Sequence, residues 1–238
     1  MAMNPADLAE RLACIPVDQV HIEGALALPA DPIGIVLFAH GSGSSRHSPR
    51  NNHVARVLHA HQLGTLLLDL LTPGEDLDYS QRFDIPLLAR RLLAATRWLQ
   101  AQPQTAALPL AYFGASTGAA AALQAAAELG PTIRALVSRG GRPDLAGPDA
   151  LARVPCPTLL IVGGNDPEVL ALNRQAAALL RGPHQLSVVP GASHLFEEAG
   201  ALEAVAQLAA GWLQEQLRGP LQGQRAEADA RPKPGVSP

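Results

Sequence analysis

From residue 33 onward, short runs of branched and aromatic apolar residues alternate with longer Ala/Leu-rich stretches of helical periodicity. The short runs predict strands at 17–22, 24–29, 33–39, 64–70, 108–114, 133–138, 157–163 and 184–190, the first two close enough to form a hairpin. The longer stretches predict helices at 49–62, 86–101, 117–129, 167–181 and 197–217, with a shorter one near 145–152. Strands that alternate with helices build a mostly parallel sheet of about eight strands covered on both faces, and each crossover is long enough for right-handed winding. The fold class is therefore α/β. Ser48-Pro49 and Asp166-Pro167 each place a capping side chain before a proline suited to the first helical turn.

The pattern sets one domain at 17–218, preceded by an N-terminal segment at 1–16. It is followed by 219–238, where apolar periodicity stops, proline, glycine and charge rise, and a flexible tail is expected. At 47% hydrophobic and 16% charged residues the chain has material for a large core. A net charge of −3 without like-charge runs argues against a nucleic-acid groove or a polybasic membrane patch. No apolar stretch reaches the ~18 residues of a membrane span and the N-terminus lacks a signal-peptide pattern, so the cytoplasm is the expected compartment. Cys14 and Cys156 lack metal-ligand spacing and lie in different predicted elements, and both read as buried or half-buried thiols. Neither metal nor cofactor is expected.

The chemistry concentrates at strand ends. Leu108–Phe113 reads as a strand and Ala119–Leu123 as a helix, so Gly114-Ala115-Ser116-Thr117-Gly118 falls on a strand-to-helix turn. There, a G-x-S-x-G pattern can force its serine into a sparsely allowed conformation and present the hydroxyl above the sheet. The glycines remove side chains that would clash across the turn. The small-residue helix directs its positive N-terminal end at Ser116, where a developing oxyanion would be stabilised. The bland alternative is an ordinary turn with Ser116 as a cap.

Further along the chain, Leu159–Val162 runs into Gly163-Gly164-Asn165-Asp166, and Leu186–Val189 runs into Pro190-Gly191-Ala192-Ser193-His194. Serine, then acid, then histidine, each after a successive strand, is the order expected of a nucleophile, an orienting carboxylate and a general base. Asp166 has a competing reading as a helix cap, and Asp144, in a Gly/Pro loop, is the rival acid. His194 has a competing reading as a surface loop residue. His40-Gly41-Ser42-Gly43 follows the strand at 33–39, where a main-chain N–H of Ser42 is the candidate oxyanion donor beside that of Thr117. The same loop lacks the lysine and spacing of a phosphate cradle.

Together, Phe38-Ala39-His40-Gly41, Gly114–Gly118, Gly163–Asp166 and Gly191–Phe196 resemble the α/β-hydrolase superfamily, in particular its dienelactone-hydrolase-like group, over about 17–217. The resemblance implies an α/β-hydrolase fold and ester or lactone hydrolysis through an acyl-enzyme. It also implies a cysteine nucleophile where this chain has Ser116, which points away from dienelactone and toward general esters. The chain is similar, too, to bacterial hydrolase domains found beside phosphoribosyltransferase domains. Only about 20 residues separate the strands at 133–138 and 157–163, too few for a lid domain, so an open site and a small-molecule ester partner are expected. Arg139 and Arg46 are candidates to meet a substrate carboxylate, each with the competing reading of a structural ion pair. Acyl transfer or perhydrolysis on the same triad, and a non-catalytic binding protein on the same scaffold, are the alternatives.

Overall fold

The computed structural model describes residues 8–218. Eight strands form one sheet: β1 (Leu8–Val17), β2 (Val20–Pro29), β3 (Gly34–Ala39), β4 (Leu63–Leu68), β5 (Leu110–Ala115), β6 (Ile133–Arg139), β7 (Thr158–Gly163) and β8 (His184–Val189). Their spatial order is β1-β2-β4-β3-β5-β6-β7-β8. β1 and β2 enter antiparallel and every later pairing is parallel. This is the eight-stranded, mostly parallel sheet of the α/β-hydrolase fold.

Six helices cover the sheet: α1 (Pro49–Ala60), α2 (Ile85–Ala101), α3 (Thr117–Leu129), α4 (Pro148–Arg153), α5 (Pro167–Ala177) and α6 (Ala201–Arg218). Strands β3 to β7 are buried on both faces, which explains their unbroken apolar runs. One face packs Val36, Phe38, Phe113 and Val137 against Val54 and Leu58 of α1 and Val205, Ala209 and Leu213 of α6. The other packs Leu37, Tyr112 and Leu136 against α2, α4 and the alanines of α3. Between β6 and β7 lie only a 3-10 turn at Pro143–Ala146 and the six-residue α4, so no lid domain is inserted there.

The first two strands depart from the expected 17–22 and 24–29. The chain turns at Asp18-Gln19, with Val17 opposite Val20 and Asp18 at φ 52°. Residues 8–16, expected to precede the domain, complete β1 with Ala13, Ile15 and Val17 facing inward. Asp tolerates the left-handed conformation that a two-residue hairpin turn demands, and Pro16 is admissible because β1 is an edge strand. At the other end, α6 begins at Ala201 rather than 197, after Gly200 at φ 79°, and α5 stops at Ala177 rather than 181. Cys14 is exposed and Cys156 buried, which corrects the expectation for Cys14; burial pushes the Cys156 thiol up to about 11. The expected tail at 219–238 lies outside the described residues. Among the described residues no helix is long and apolar enough to cross a membrane.

The order β4-β3-β5 sends the chain to opposite sides after β3 and β5, so their carboxyl-end loops diverge and leave a crevice. The segments 40–48 and Ser116 both stand at that crevice.

Candidate active site

Ser116 follows β5 and precedes α3 with φ 50° and ψ −120°, a conformation costing about 1–3 kcal/mol and kept only where the surroundings enforce it. Those surroundings are visible. A Cβ at Gly118 would overlap the Ala39 and His40 carbonyls, and one at Gly114 would overlap the Ala119 backbone. The elbow is pinned to the β6 end by Ser116 N–H donating to Arg139 O (3.3 Å) and Arg142 N–H donating to Ser116 O (3.0 Å). Ser116 makes no side-chain cap bond to its helix, so its hydroxyl is uncommitted and half-buried, contrary to the capping reading.

The expected acid and base, Asp166 and His194, lie on two stitched loops. Gly164 N–H donates to Val189 O (2.8 Å), Asn165 N–H to Ala192 O (2.9 Å) and Asn165 Nδ2 to Gly191 O (2.8 Å). Across this seam Asp166 Oδ2 lies 2.7 Å from His194 Nδ1. Asp166 opens α5 yet makes no side-chain cap bond, so its carboxylate is turned to the imidazole instead of its own helix. Asp144, the rival acid, is instead held by Arg142 in a two-pronged pair at 2.9 and 2.7 Å. His194 lies over Gly140, whose added Cβ would sit 3.6 Å from Cε1 of the ring, on the strand end that also anchors Ser116. Among the described residues no hydrogen bond joins Ser116 Oγ to His194. Such bonds commonly tighten only when substrate binds. Phe196, two residues on, is buried at φ 57° and clamps this loop against the core.

The two residues expected to supply the oxyanion donors meet each other. Ser42 N–H, the expected donor, donates to Thr117 Oγ1 at 3.0 Å. Thr117 N–H, at the first helical position, has no acceptor within the helix. Behind the loop, His40 donates from Nδ1 to Gly41 O (2.9 Å) while Nε2 accepts from Leu70 N–H (3.1 Å). This bonding requires the neutral ring, and burial lowers its pKa accordingly. The sequence motif contained His40, but its place as a buckle between the loop after β3 and the segment after β4 became visible only with Leu70 in place.

Of the two arginines expected at substrate, Arg46 is committed elsewhere. Its amide donates to Asp69 Oδ1 at 2.6 Å, and its guanidinium pairs with Asp69 and, at 2.5 Å, with Glu23. It is a structural tie between the loop after β3 and the β2–β4 edge. Arg139 is 7% exposed and stacks over Phe196 with Cζ 6.0 Å from the ring centroid. Its Nε and Nη1 are buried without a partner among the described residues. Burial and the neighbouring Arg50 lower its pKa to about 10. Cavities of about 650 Å³, beside Val17, Arg90 and Trp98, and about 410 Å³, beside Leu12, Arg46 and His59, are lined by none of Ser116, Asp166 and His194.

A crystal structure of dienelactone hydrolase from Anabaena variabilis is 55% identical, covers 89% of this chain and 100% of its own, and superposes with a TM-score of 0.86. The chain belongs to the dienelactone-hydrolase-like group of the α/β-hydrolase superfamily. At 15% identity, Est1E from Butyrivibrio proteoclasticus shares the α/β-hydrolase fold, covering 87% of this chain and 98% of its own with a TM-score of 0.74. Two Mycobacterium tuberculosis proteins provisionally named phosphoribosyl transferases are 60% identical over 201 residues, or 84% of this chain. The chain spans 45%, about half, of the length of those curated relatives. No family profile matches the chain. For a dienelactone-hydrolase-like chain, the notable residue is the serine at the elbow, where the resemblance implied a cysteine.

Proposed function

We propose that the protein is a serine hydrolase cleaving carboxylic esters or lactones of small molecules through an acyl-enzyme. The observation that carries this reading is Asp166, turned off its own helix and onto His194 Nδ1 at 2.7 Å. That contact fixes the tautomer in which Nδ1–H faces the carboxylate and Nε2 is the base. The left-handed elbow at Ser116 adds independent support.

In the reaction, Ser116 Oγ bonds to the carbonyl carbon, its proton passes to His194 Nε2, and the carbonyl π pair moves onto oxygen beside the Thr117 N–H. Collapse breaks the bond to the leaving oxygen, which takes the proton from His194. Water repeats the sequence on the acyl-enzyme. A site without a lid gives water free access, which favours hydrolysis over acyl transfer or perhydrolysis. Arg139 is the arginine left to meet an acidic group on a substrate, since Arg46 is engaged by two carboxylates. The phosphoribosyl transferase name is not carried over, because it belongs to proteins of which this chain matches less than half.

The test is turnover of 4-nitrophenyl acetate, 4-nitrophenyl butyrate and a small lactone by the wild type and by Ser116→Ala. Turnover by the wild type with a loss of about 10⁴-fold or more in the variant is expected. An inactive wild type across the panel, or an active Ser116→Ala, contradicts the reading.

A further inference from the structure

We propose that Arg139 and Arg50 form a binding site for a phosphate group, taken either as the free ion or as the phosphomonoester arm of an ester substrate. The site extends the esterase reading, on which its use by a substrate arm rests.

Nε and Nη1 of Arg139 and Nε of Arg50 are buried without a hydrogen-bond partner among the described residues. Arg139 ends β6 and is 7% exposed. Arg50 lies in the first turn of α1, directly after Pro49. Both hold the same short stretch of chain, since Arg139 stacks over Phe196 and Arg50 Nη1 reaches Glu197 Oε1 at 3.4 Å. Among the described residues Glu197 is the one carboxylate that pairs with either guanidinium, and its side chain is 64% exposed. It meets Arg50 from the solvent side and leaves the buried nitrogens unpaired.

Two like charges held together out of water repel each other and lose hydration, and buried donors without acceptors add to that cost. An anion taken from solution relieves all of it. The start of α1 strengthens the same field: Pro49 has no N–H, Ser48 Oγ accepts from the Asn51 N–H at 3.3 Å, and the Arg50 N–H has no acceptor within the helix. Charge and shape favour phosphate over a carboxylate. A phosphate dianion balances two guanidinium charges, whereas a carboxylate leaves one over. Its tetrahedral oxygens also accept from donors on different elements, while a carboxylate offers two oxygens in one plane.

The site adjoins the proposed nucleophile. Arg139 O accepts from the Ser116 N–H at 3.3 Å, and the next residue, Gly140, lies under the His194 ring. No more than the Arg139 side chain itself therefore separates its guanidinium from the elbow, a span that a small phosphorylated ester can bridge.

The test is to titrate sodium phosphate into the full chain in a phosphate-free buffer and read Tm, with sodium chloride and sodium acetate at matched ionic strength as controls. In the wild type, phosphate is expected to raise Tm saturably, by about 3–6 °C at ten times its Kd, and chloride and acetate to do little. Arg139→Met and Arg50→Gln are each expected to lose the shift, and either one decides if the other does not fold. Exclusion of phosphate from the protein surface would instead raise Tm alike in all of them. An equal rise in wild type and variants, or a wild type on which phosphate acts no more than chloride, overturns the site. Acetate acting as strongly as phosphate overturns the choice of phosphate.

Turnover of butyrylglycerol phosphate against butyrylglycerol, read by acid release, separates the two sources. A kcat/KM ratio of about tenfold or more for the phosphorylated ester, falling to about one in Arg139→Met, makes the phosphate a substrate arm. A wild-type ratio near one with the Tm shift intact assigns the site to free phosphate. A wild type inactive on both esters and on 4-nitrophenyl butyrate, with the shift intact, overturns the esterase reading and leaves the phosphate site standing.

Discussion

Acidification is expected to destabilise the protein well before its carboxylates protonate, through His59. This side chain is 5% exposed on α1, with Nε2 2.8 Å from Thr65 Oγ1 on β4, and burial lowers its pKa to about 4. An unfolded histidine titrates near 6.5, so between about 6.5 and 4 the unfolded chain binds a proton that the folded chain refuses. The stabilisation is full above the unfolded value and is lost as pH falls through this window. For pKa values of about 6.5 and 4 the loss at pH 5 is about 2 kcal/mol. In a chain of this size that corresponds to a fall in Tm of about 4–8 °C. His40, also shifted downward by burial, adds in the same direction. Urea melts of the wild type and His59→Gln at pH 7.5 and 5 test this. The variant should start less stable at pH 7.5 but lose about 2 kcal/mol less than the wild type on acidification. Equal losses in the two proteins refute the reasoning, since His59 would then titrate alike in both states.

Asp166→Asn is expected to lower kcat about 10³–10⁴-fold by releasing the imidazole tautomer, whereas Asp144→Asn should cost less than about tenfold, as its carboxylate serves Arg142. Steady-state kinetics on one ester compares them, and the reverse order contradicts the assignment of the acid. Arg139→Met is expected to leave Tm unchanged or raise it, because the variant buries a methyl thioether in place of a guanidinium whose Nε and Nη1 lack acceptors. A destabilisation above about 2 kcal/mol in denaturant melts would show that the guanidinium has a partner.

The central strands were legible because each is buried on both faces and must be apolar throughout, as in Ile35–Ala39 and Leu159–Val162. The hairpin was not. Leu8–Pro16 has helix-prone composition and a proline, and only pairing with β2 makes it a strand. Ser116, Asp166 and His194 could be singled out together because chain order and strand ends carry that pattern along the sequence, and the structure sets Asp166 against His194. For Arg46 the ion-pair reading is the one the structure favours, but its partners, Glu23 and Asp69, could not be named from the sequence because they are remote in it and meet only when β2 and β4 pair. The same holds for Ser42 and Thr117: the sequence points to two oxyanion amides, and only the folded loop places one of them against a side chain.

Ser116 as the nucleophile is tested most directly by peptide-level mass spectrometry after reaction with a fluorophosphonate. The prediction is a single adduct on Ser116, formed by the wild type, strongly slowed in His194→Ala and absent in Ser116→Ala. A wild type left unmodified, or modified at another residue while Ser116 stays free, contradicts it.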